Sequence, residues 1–372
     1  MLKIMKYKVG FIGWRGMVGS VLLNRMKEEN DFEKIDPFFF TTSQIGKKGP
    51  YLKNGKISIL YDAYDIDFLK ELHIIITCQG AEYTKCVYKK LKKINWQGFW
   101  IDSSSLLRTD SNSIIILDPI NYDSIVKGLN QGIKTFVGGN CTVSLMLLAL
   151  GGLFQHNLIE WISVSTYQAI SGAGSQQLKE LLLQMEYFVN IFQKQKNKSI
   201  LELESLISKA CNNKNFPKNF LKFPLVNNLL PWIDSIQKNG QSKEEWKGMF
   251  ETNKILNSVQ NIPIDGTCVR ISSLRCHSQS FTIKLKKDIS INNIKLLIKH
   301  NNPWVRIISN TPQETMNFLN PISVSGTLNI PIGRIRKLNF GSLYCSAFTV
   351  GDQLLWGASE PLRRMLNILI SL

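Results

Sequence analysis

The sequence lacks several features that would place a protein at once. None of its seven cysteines (Cys78, Cys86, Cys141, Cys211, Cys268, Cys276 and Cys345) forms a CxxC pair. Neither a zinc site nor a disulfide framework is favoured, and no metal is expected. No apolar run reaches the roughly 18 residues that span a bilayer, and the longest candidate, Val143 to Leu153, falls short. A secretion signal is also poorly supported. Lys3, Lys6 and Lys8 precede an apolar stretch, but Arg15 breaks it and no small-residue cleavage site follows. Acidic residues are scarce, 28 against 45 Lys and Arg, and no internal repeat is visible. These absences lead us to expect a soluble, cytoplasmic protein without a membrane partner, its thiols reduced and one of them available as a nucleophile.

What is present supports a folded chain. Hydrophobic residues make up 44% and charged residues 20%, which excludes a disordered or fibrous protein. The 372 residues suit two or three domains of about 100–200 residues each. The net charge of +17 allows a nucleic-acid partner, an anionic substrate, or a simple compositional excess of Lys. The Lys/Asn/Ile texture at 196–200, 212–219 and 286–299 spreads the charge instead of clustering it with aromatics. No nucleic-acid partner is therefore expected.

The first segment is the most legible. Residues 7–12 read as a buried strand, Gly13, Gly16 and Gly19 follow, and residues 17–26 have helical spacing with Val18, Val21, Leu22 and Met26 on one face. Strand, glycine turn and helix is the setting of a dinucleotide fingerprint. Gly13 would make the turn, Gly16 would admit a phosphate, and Gly19 would let the helix pack on the strand. The spacing is GxxGxxG, so a plain tight turn is the alternative. At the end of the second strand, where a carboxylate would take a ribose hydroxyl, stand Thr41, Thr42 and Ser43, with Arg15 in the glycine turn. Hydroxyls and a guanidinium suit a 2′-phosphate, which points to NADP. An ordinary Ser/Thr turn would look the same.

Further strands are expected at 74–77, 99–102, 114–117 and 135–137, with a helix over 82–91. This is the alternation of a parallel sheet covered by helices. Gly138-Gly139-Asn140-Cys141-Thr142 then leads into an apolar helix. Asn140 is a good N-cap, and Cys141 would sit in the first turn, where free N–H groups stabilise a thiolate or an oxyanion. A buried structural thiol is the bland alternative. Beyond it, strands near 159–168, 281–286, 328 and 348 and a helix over 175–192 suggest an α+β unit with one open sheet face. Residues 193–219 read as a polar surface excursion, and Ser359-Glu360-Pro361 as the start of a final helix. Of four histidines, His277 stands among basic residues beside a strand start, a setting that suits a general base for an anionic substrate. A surface histidine is the alternative.

Taken in order, several stretches resemble the aspartate-semialdehyde dehydrogenases, specifically the branch of Gram-negative bacteria. They are residues 10–19 (GFIGWRGMVG), 138–146 (GGNCTVSLM), 166–169 (TYQA), 244–248 (EEWKG), 268–270 (CVR), 275–279 (RCHSQ) and 351–357 (GDQLLWG). The resemblance spans essentially the whole chain. It implies an α/β fold with an N-terminal Rossmann NADP-binding domain over 1–139, a central α+β catalytic and dimerisation domain over 140–357, and a C-terminal helix over 358–372 returning to the first domain.

The resemblance further implies NADPH-dependent reductive dephosphorylation of L-4-aspartyl phosphate to L-aspartate 4-semialdehyde and phosphate by a homodimer. This is a step towards lysine, diaminopimelate, methionine and threonine. Cys141 would attack as thiolate to give a thioester, and His277 would be its acid–base partner. Gln168 would orient the substrate, Arg270 clamp its α-carboxylate and Glu244 receive its amino group. Arg108, Asn140 and Lys247 would hold phosphate. Arg15, Gly16, Met17, Val18, Thr42, Ser43, Gln79, Ser171, Gly172 and Gln353 would contact the cofactor. Ala173 replaces a usual glycine, which bears on cofactor affinity if that residue needs positive φ. About five N-terminal residues look like a start-site extension. An N-acetyl-glutamyl-phosphate reductase would share the thiol–histidine logic but have no use for Glu244. A basic nucleic-acid-binding protein on a Rossmann scaffold is the other competing reading.

Overall fold

Residues 6–52 and 57–371 are described by the computed structural model; the N-terminal extension and Lys3 lie outside the described residues. The first part runs β1 (Tyr7–Ile12), α1 (Met17–Glu28), β2 (Ile35–Thr41), β3 (Lys48–Tyr51), β4 (Ile57–Asp62), α2 (Ile66–Leu69), β5 (Ile74–Thr77), α3 (Ala81–Lys93), β6 (Phe99–Asp102), β7 (Ile114–Ile116), α4 (Asp118–Asn130) and β8 (Thr135–Gly138). The strands lie in the order β3-β4-β2-β1-β5-β6-β8-β7. Among the described residues only β3 runs antiparallel to its neighbour. Runs such as Ile74–Ile76, buried on both faces, explain the parallel arrangement. Successive connections leave β1 in opposite directions, to β2 and later to β5. A crevice therefore opens at the strand C-termini beside β1.

The second part runs α5 (Cys141–Gln155), β9 (Ile159–Gln168), α6 (Ser175–Gln195), α7 (Ile200–Ala210), β10 (Leu229–Leu230), α8 (Lys243–Leu256), β11 (Ile264–Ile271), β12 (Cys276–Leu285), α9 (Ile291–Asn301), β13 (Val305–Ile307), α10 (Pro312–Phe318), α11 (Pro321–Val324), β14 (Ile330–Lys337), β15 (Tyr344–Asp352) and α12 (Glu360–Ile370). Its sheet has the order β10-β11-β9-β12-β15-β14-β13 and mixes parallel with antiparallel pairs. Strand β9 alternates: Ile159, Ile162 and Val164 are buried while Ser163, Ser165 and Tyr167 are exposed. The buried side meets α5, in which every residue from Thr142 to Phe154 is buried. Each fully buried Leu contributes roughly 2 kcal/mol. Leu145, Leu147, Leu148, Leu150 and Leu153 thus fix the helix that begins at Cys141.

Helix α12 returns to the first sheet, where Leu362, Met365, Leu366 and Leu369 join Val9, Phe11, Ile101 and Phe136. Its Arg364 holds Asp118 of α4 through Nε and Nη2. Three local expectations change. The final helix does start at Glu360-Pro361, but it continues a π turn over Leu355–Ser359, so the Ser359 backbone is already helical and its hydroxyl donates to the Leu354 carbonyl. Gly19 packs against the glycine turn instead of the strand, since a Cβ there would lie 2.3 Å from the Gly13 oxygen. The polar excursion is at the surface but contains α7, started by a Ser199/Glu202 capping box.

Candidate active site

Cys141 owes its position to its neighbour. The Asn140 side-chain oxygen accepts the N–H groups of Thr142 (2.9 Å) and Val143 (3.2 Å), so α5 begins at the cysteine. From there the sulfur lies 3.2 Å from His277 Nε2. His277 is the second residue of β12 and 0% exposed, so it is neither before the strand nor a surface histidine. Its Nδ1 accepts the Ala169 N–H at 2.9 Å. Burial, reinforced by the Arg270 charge, pushes the imidazole down to about 3, against Glu244, which favours the cation. The thiol is pushed up to about 12, first by burial and then by Glu244, while Arg270, Arg108 and Lys247 pull it the other way. The sequence leaves open whether the thiolate is preformed or appears only when substrate binds. In the protein without substrate, burial and Glu244 outweigh the three cations.

A cavity of about 480 Å³ opens in front of Cys141, with Gln168, Glu244, Lys247 and Arg270 in its wall. Glu244 and Lys247 project from one face of α8, three residues apart. Glu244 accepts from Asn140 Nδ2 (2.9 Å), Gln168 Nε2 (3.2 Å) and Lys247 Nζ (2.9 Å). Burial alone would raise its pKa. The Lys247 charge and these hydrogen bonds outweigh that and hold the carboxyl below its ordinary range, so it is an anion. Lys247 also reaches Asp234 at 3.0 Å. Arg270 gives one donor to the Ala169 carbonyl at 2.6 Å.

Arg108 is more committed than its expected role suggests. It donates to the carbonyls of Gly138 (2.8 Å) and Gly139 (3.0 Å) and to Glu251 Oε1 (3.0 Å). Two of its five N–H groups remain for a ligand. The other Glu251 oxygen accepts the Asn140 N–H at 2.7 Å. Sequence reading missed Glu251, although its spacing after Glu244 and Lys247 puts all three on one face of α8. It also missed Asp234, and the reason for Gly357: a Cβ there would lie 2.7 Å from the Cys141 Cβ.

The crevice beside β1 forms a second cavity of about 370 Å³, walled by Gly13, Arg15, Gly16, Thr41, Thr42 and Gln79 among others. Gly13 turns with φ +73°, and a Cβ would strike the Cys78–Gln79 backbone at 2.5 Å. Arg15 Nη2 donates to the hydroxyls of Thr41 (3.2 Å) and Ser43 (3.3 Å). The structure thus brings the cation and the hydroxyls together. Met17 begins α1 but lines neither cavity, whereas Val18 reaches the wall in front of Cys141, as do Ser171, Gly172, Ala173 and Gln353. Gln353 donates to the Ser171 hydroxyl at 2.7 Å. Ala173 has φ −88°, an ordinary right-handed value, so its methyl group costs no backbone strain. His73, His156 and His300 lie elsewhere, at a strand start, a helix end and a helix's last turn.

Two family models match. One, described as the NAD binding domain of semialdehyde dehydrogenase, covers residues 8–128, and the other, described as its dimerisation domain, covers residues 150–356. Among solved structures, the aspartate semialdehyde dehydrogenase of Francisella tularensis is 48% identical, covering 98% of this chain and 99% of that one, with a TM-score of 0.94. Aspartate semialdehyde dehydrogenase II of Vibrio cholerae, complexed with ASA, shares the fold at 22% identity, 99% coverage of both chains and a TM-score of 0.80. The Candida albicans enzyme, solved with NADP, does so at 14% identity, 99% and 98% coverage and a TM-score of 0.65. This chain belongs to the aspartate-semialdehyde dehydrogenase family and is an oxidoreductase with an NAD(P)-binding domain.

Proposed function

We propose that the enzyme is NADP-dependent and phosphorylating. In the biosynthetic direction it would reduce L-4-aspartyl phosphate to L-aspartate 4-semialdehyde and release phosphate, with Cys141 as nucleophile. The observation that carries this reading is the 3.2 Å approach of Cys141 and His277 beside a cavity whose wall holds both an anion, Glu244, and a buried guanidinium, Arg270. An amino-acid substrate presents the complementary pair of charges. Glu244 would take the ammonium, Arg270 the α-carboxylate, and Gln168 would orient the reacting carbonyl. Lys247, Asn140 and the two uncommitted Arg108 donors would meet the phosphoryl group.

The residues beside β1 fit a dinucleotide. Gly16 has room for a phosphate at the N-terminus of α1, since a Cβ there would meet nothing closer than 3.4 Å. Arg15, with Thr41, Thr42 and Ser43, offers donors and no carboxylate to a 2′-phosphate. Gln79 would complete that end, Met17 at the start of α1 would contact the cofactor between the two cavities, and Val18, Ser171, Gly172 and Gln353 would hold the nicotinamide near Cys141. When bound, the cofactor supplies the hydride that reduces the thioester. The protein's own part is to hold the acyl group on sulfur, place donors about its oxygen and keep water away.

We divide the chain at 139/140 and 357/358, with α12 completing the first domain. The open face of the second sheet suits a cytoplasmic homodimer in amino-acid biosynthesis. The test is the reverse reaction on aspartate semialdehyde, with NADP, NAD and phosphate omitted in turn. Turnover should need phosphate and prefer NADP. Phosphate-independent turnover, or a preference for NAD, would refute the reading.

A further inference from the structure

The buried face of the second sheet carries polar side chains in two successive rows before its apolar core begins. The first row belongs to the site: Arg270 pairs with Gln168, and His277 lies on the adjoining strand β12. Two residues along each strand, and so on the same face, Cys268 stands opposite Thr166, and Thr166 opposite Gln279. All three are buried, Gln279 to 1% exposure. One step further the row is apolar, with Val164 opposite Phe281 and Phe281 opposite Ala347.

Gln279 is the member of the second row that reaches α5. Its Nε2 donates to the carbonyl of Thr142, the residue after Cys141, at 3.1 Å. Strand β12 thus meets the start of α5 twice. His277 Nε2 lies 3.2 Å from the Cys141 sulfur, and Gln279, two residues on, holds the next carbonyl. The other end of the amide is poorly served. Its Oε1 has no hydrogen-bond partner among the described residues. The cavity that Gln279 lines with Thr166 and Cys268 is about 20 Å³, room for one water at most. A buried amide oxygen so placed costs stability that an apolar side chain of the same size would not. Packing alone therefore does not account for a glutamine here.

We propose that Gln279 is a positioning residue, which sets the height and rotation of the first turn of α5 so that the Cys141 sulfur meets His277. This inference rests on the reading above of Cys141 and His277 as the reacting pair. Two other devices already shape that turn: the Asn140 side chain caps its N–H groups, and Glu251 on α8 accepts the Asn140 N–H. Neither ties the helix to β12, the strand that carries His277. Thr166 supports the first row in its own way, its hydroxyl accepting from Gln168 Nε2 at 3.3 Å. A sulfur and a ring nitrogen borne by different elements need such a tie, because a misplacement of about 1 Å can cost two orders of magnitude in rate.

Gln279→Met keeps the volume and removes the amide. Its urea midpoint should equal or exceed that of the wild type. Its kcat on aspartate semialdehyde with NADP and phosphate should fall about tenfold or more, while KM for each substrate stays within about twofold. Its crystal structure should show the separation of Cys141 Sγ and His277 Nε2 lengthened by about 0.5 Å or more. Gln279→Asn, an amide one methylene too short for the Thr142 carbonyl, should lose kcat to a similar extent at unchanged KM. It decides the matter alone if the methionine variant does not fold. Wild-type kcat in either variant, or a fall in kcat matched by lost stability with the separation unchanged, overturns the proposal. Turnover retained in Cys141→Ser would instead remove the reading on which the proposal rests, and the separation in Gln279→Met would still test what Gln279 holds.

Discussion

Glu251 accepts the backbone N–H of Asn140 at 2.7 Å while its other oxygen holds Arg108 at 3.0 Å. A carboxylate on α8 therefore sets where the helix carrying Cys141 begins, and it does so from a site 2% exposed. Glu251→Gln keeps the shape but leaves Arg108 with less compensation. We expect a loss of about 3 kcal/mol in urea unfolding and roughly tenfold lower kcat. Unchanged turnover would exclude this carboxylate from positioning the site.

Cys141→Ser should keep NADPH binding, followed by cofactor fluorescence, and lose nearly all turnover. A hydroxyl has no comparable anion at neutral pH. Retained turnover would exclude Cys141 as nucleophile.

Arg270→Lys should raise KM for aspartate semialdehyde by at least about tenfold, because a point charge replaces a planar fork. The Ala169 carbonyl, now held at 2.6 Å, would also lose its donor. An unchanged KM would remove Arg270 from carboxylate binding.

Gly357→Ala places a methyl group 2.7 Å from the Cys141 Cβ and 3.1 Å from its Cα. Overpacking of this kind costs about 1–3 kcal/mol, and the displaced atoms belong to the proposed nucleophile. Activity should fall much more than the melting temperature. A variant with full activity would show that α5 can shift without consequence.

The buried imidazole makes stability depend on pH. His277 in the fold is pushed down to about 3, whereas unfolded His titrates near 6.5. Between those values the unfolded chain binds the extra proton, so stability falls as pH is lowered, by up to about 1.4 kcal/mol per unit. Urea denaturation of the wild type between pH 6.5 and 5 should show a steeper decline than His277→Asn. Equal slopes would place the folded pKa near its ordinary value.

Much of the frame was legible because local residues decide it. Strands β5, β6 and β9 fall where their apolar or alternating runs suggested. Strand β3 escaped notice because Lys48-Gly-Pro-Tyr51 is an edge strand with little burial. Helix α4 escaped because Asp118-Pro119 reads as a turn, and Asn121 interrupts its helical geometry. Glu251 was hidden for another reason: a Glu on an amphipathic helix ordinarily faces water.

The sequence by itself determined the glycine turn, the Asn140 cap and the place of Cys141, since each depends on hydrogen bonds or sterics within a few residues. Tertiary structure alone decided that His277, 136 positions further on, would lie against the sulfur, that the Ala169 N–H would hold the other side of its ring, and that Arg108 would spend three donors on the protein. Burial and proton affinity depend on what surrounds a group. The surroundings of Cys141 come from β6, β9, β11, β12 and α8, which only the folded chain brings together.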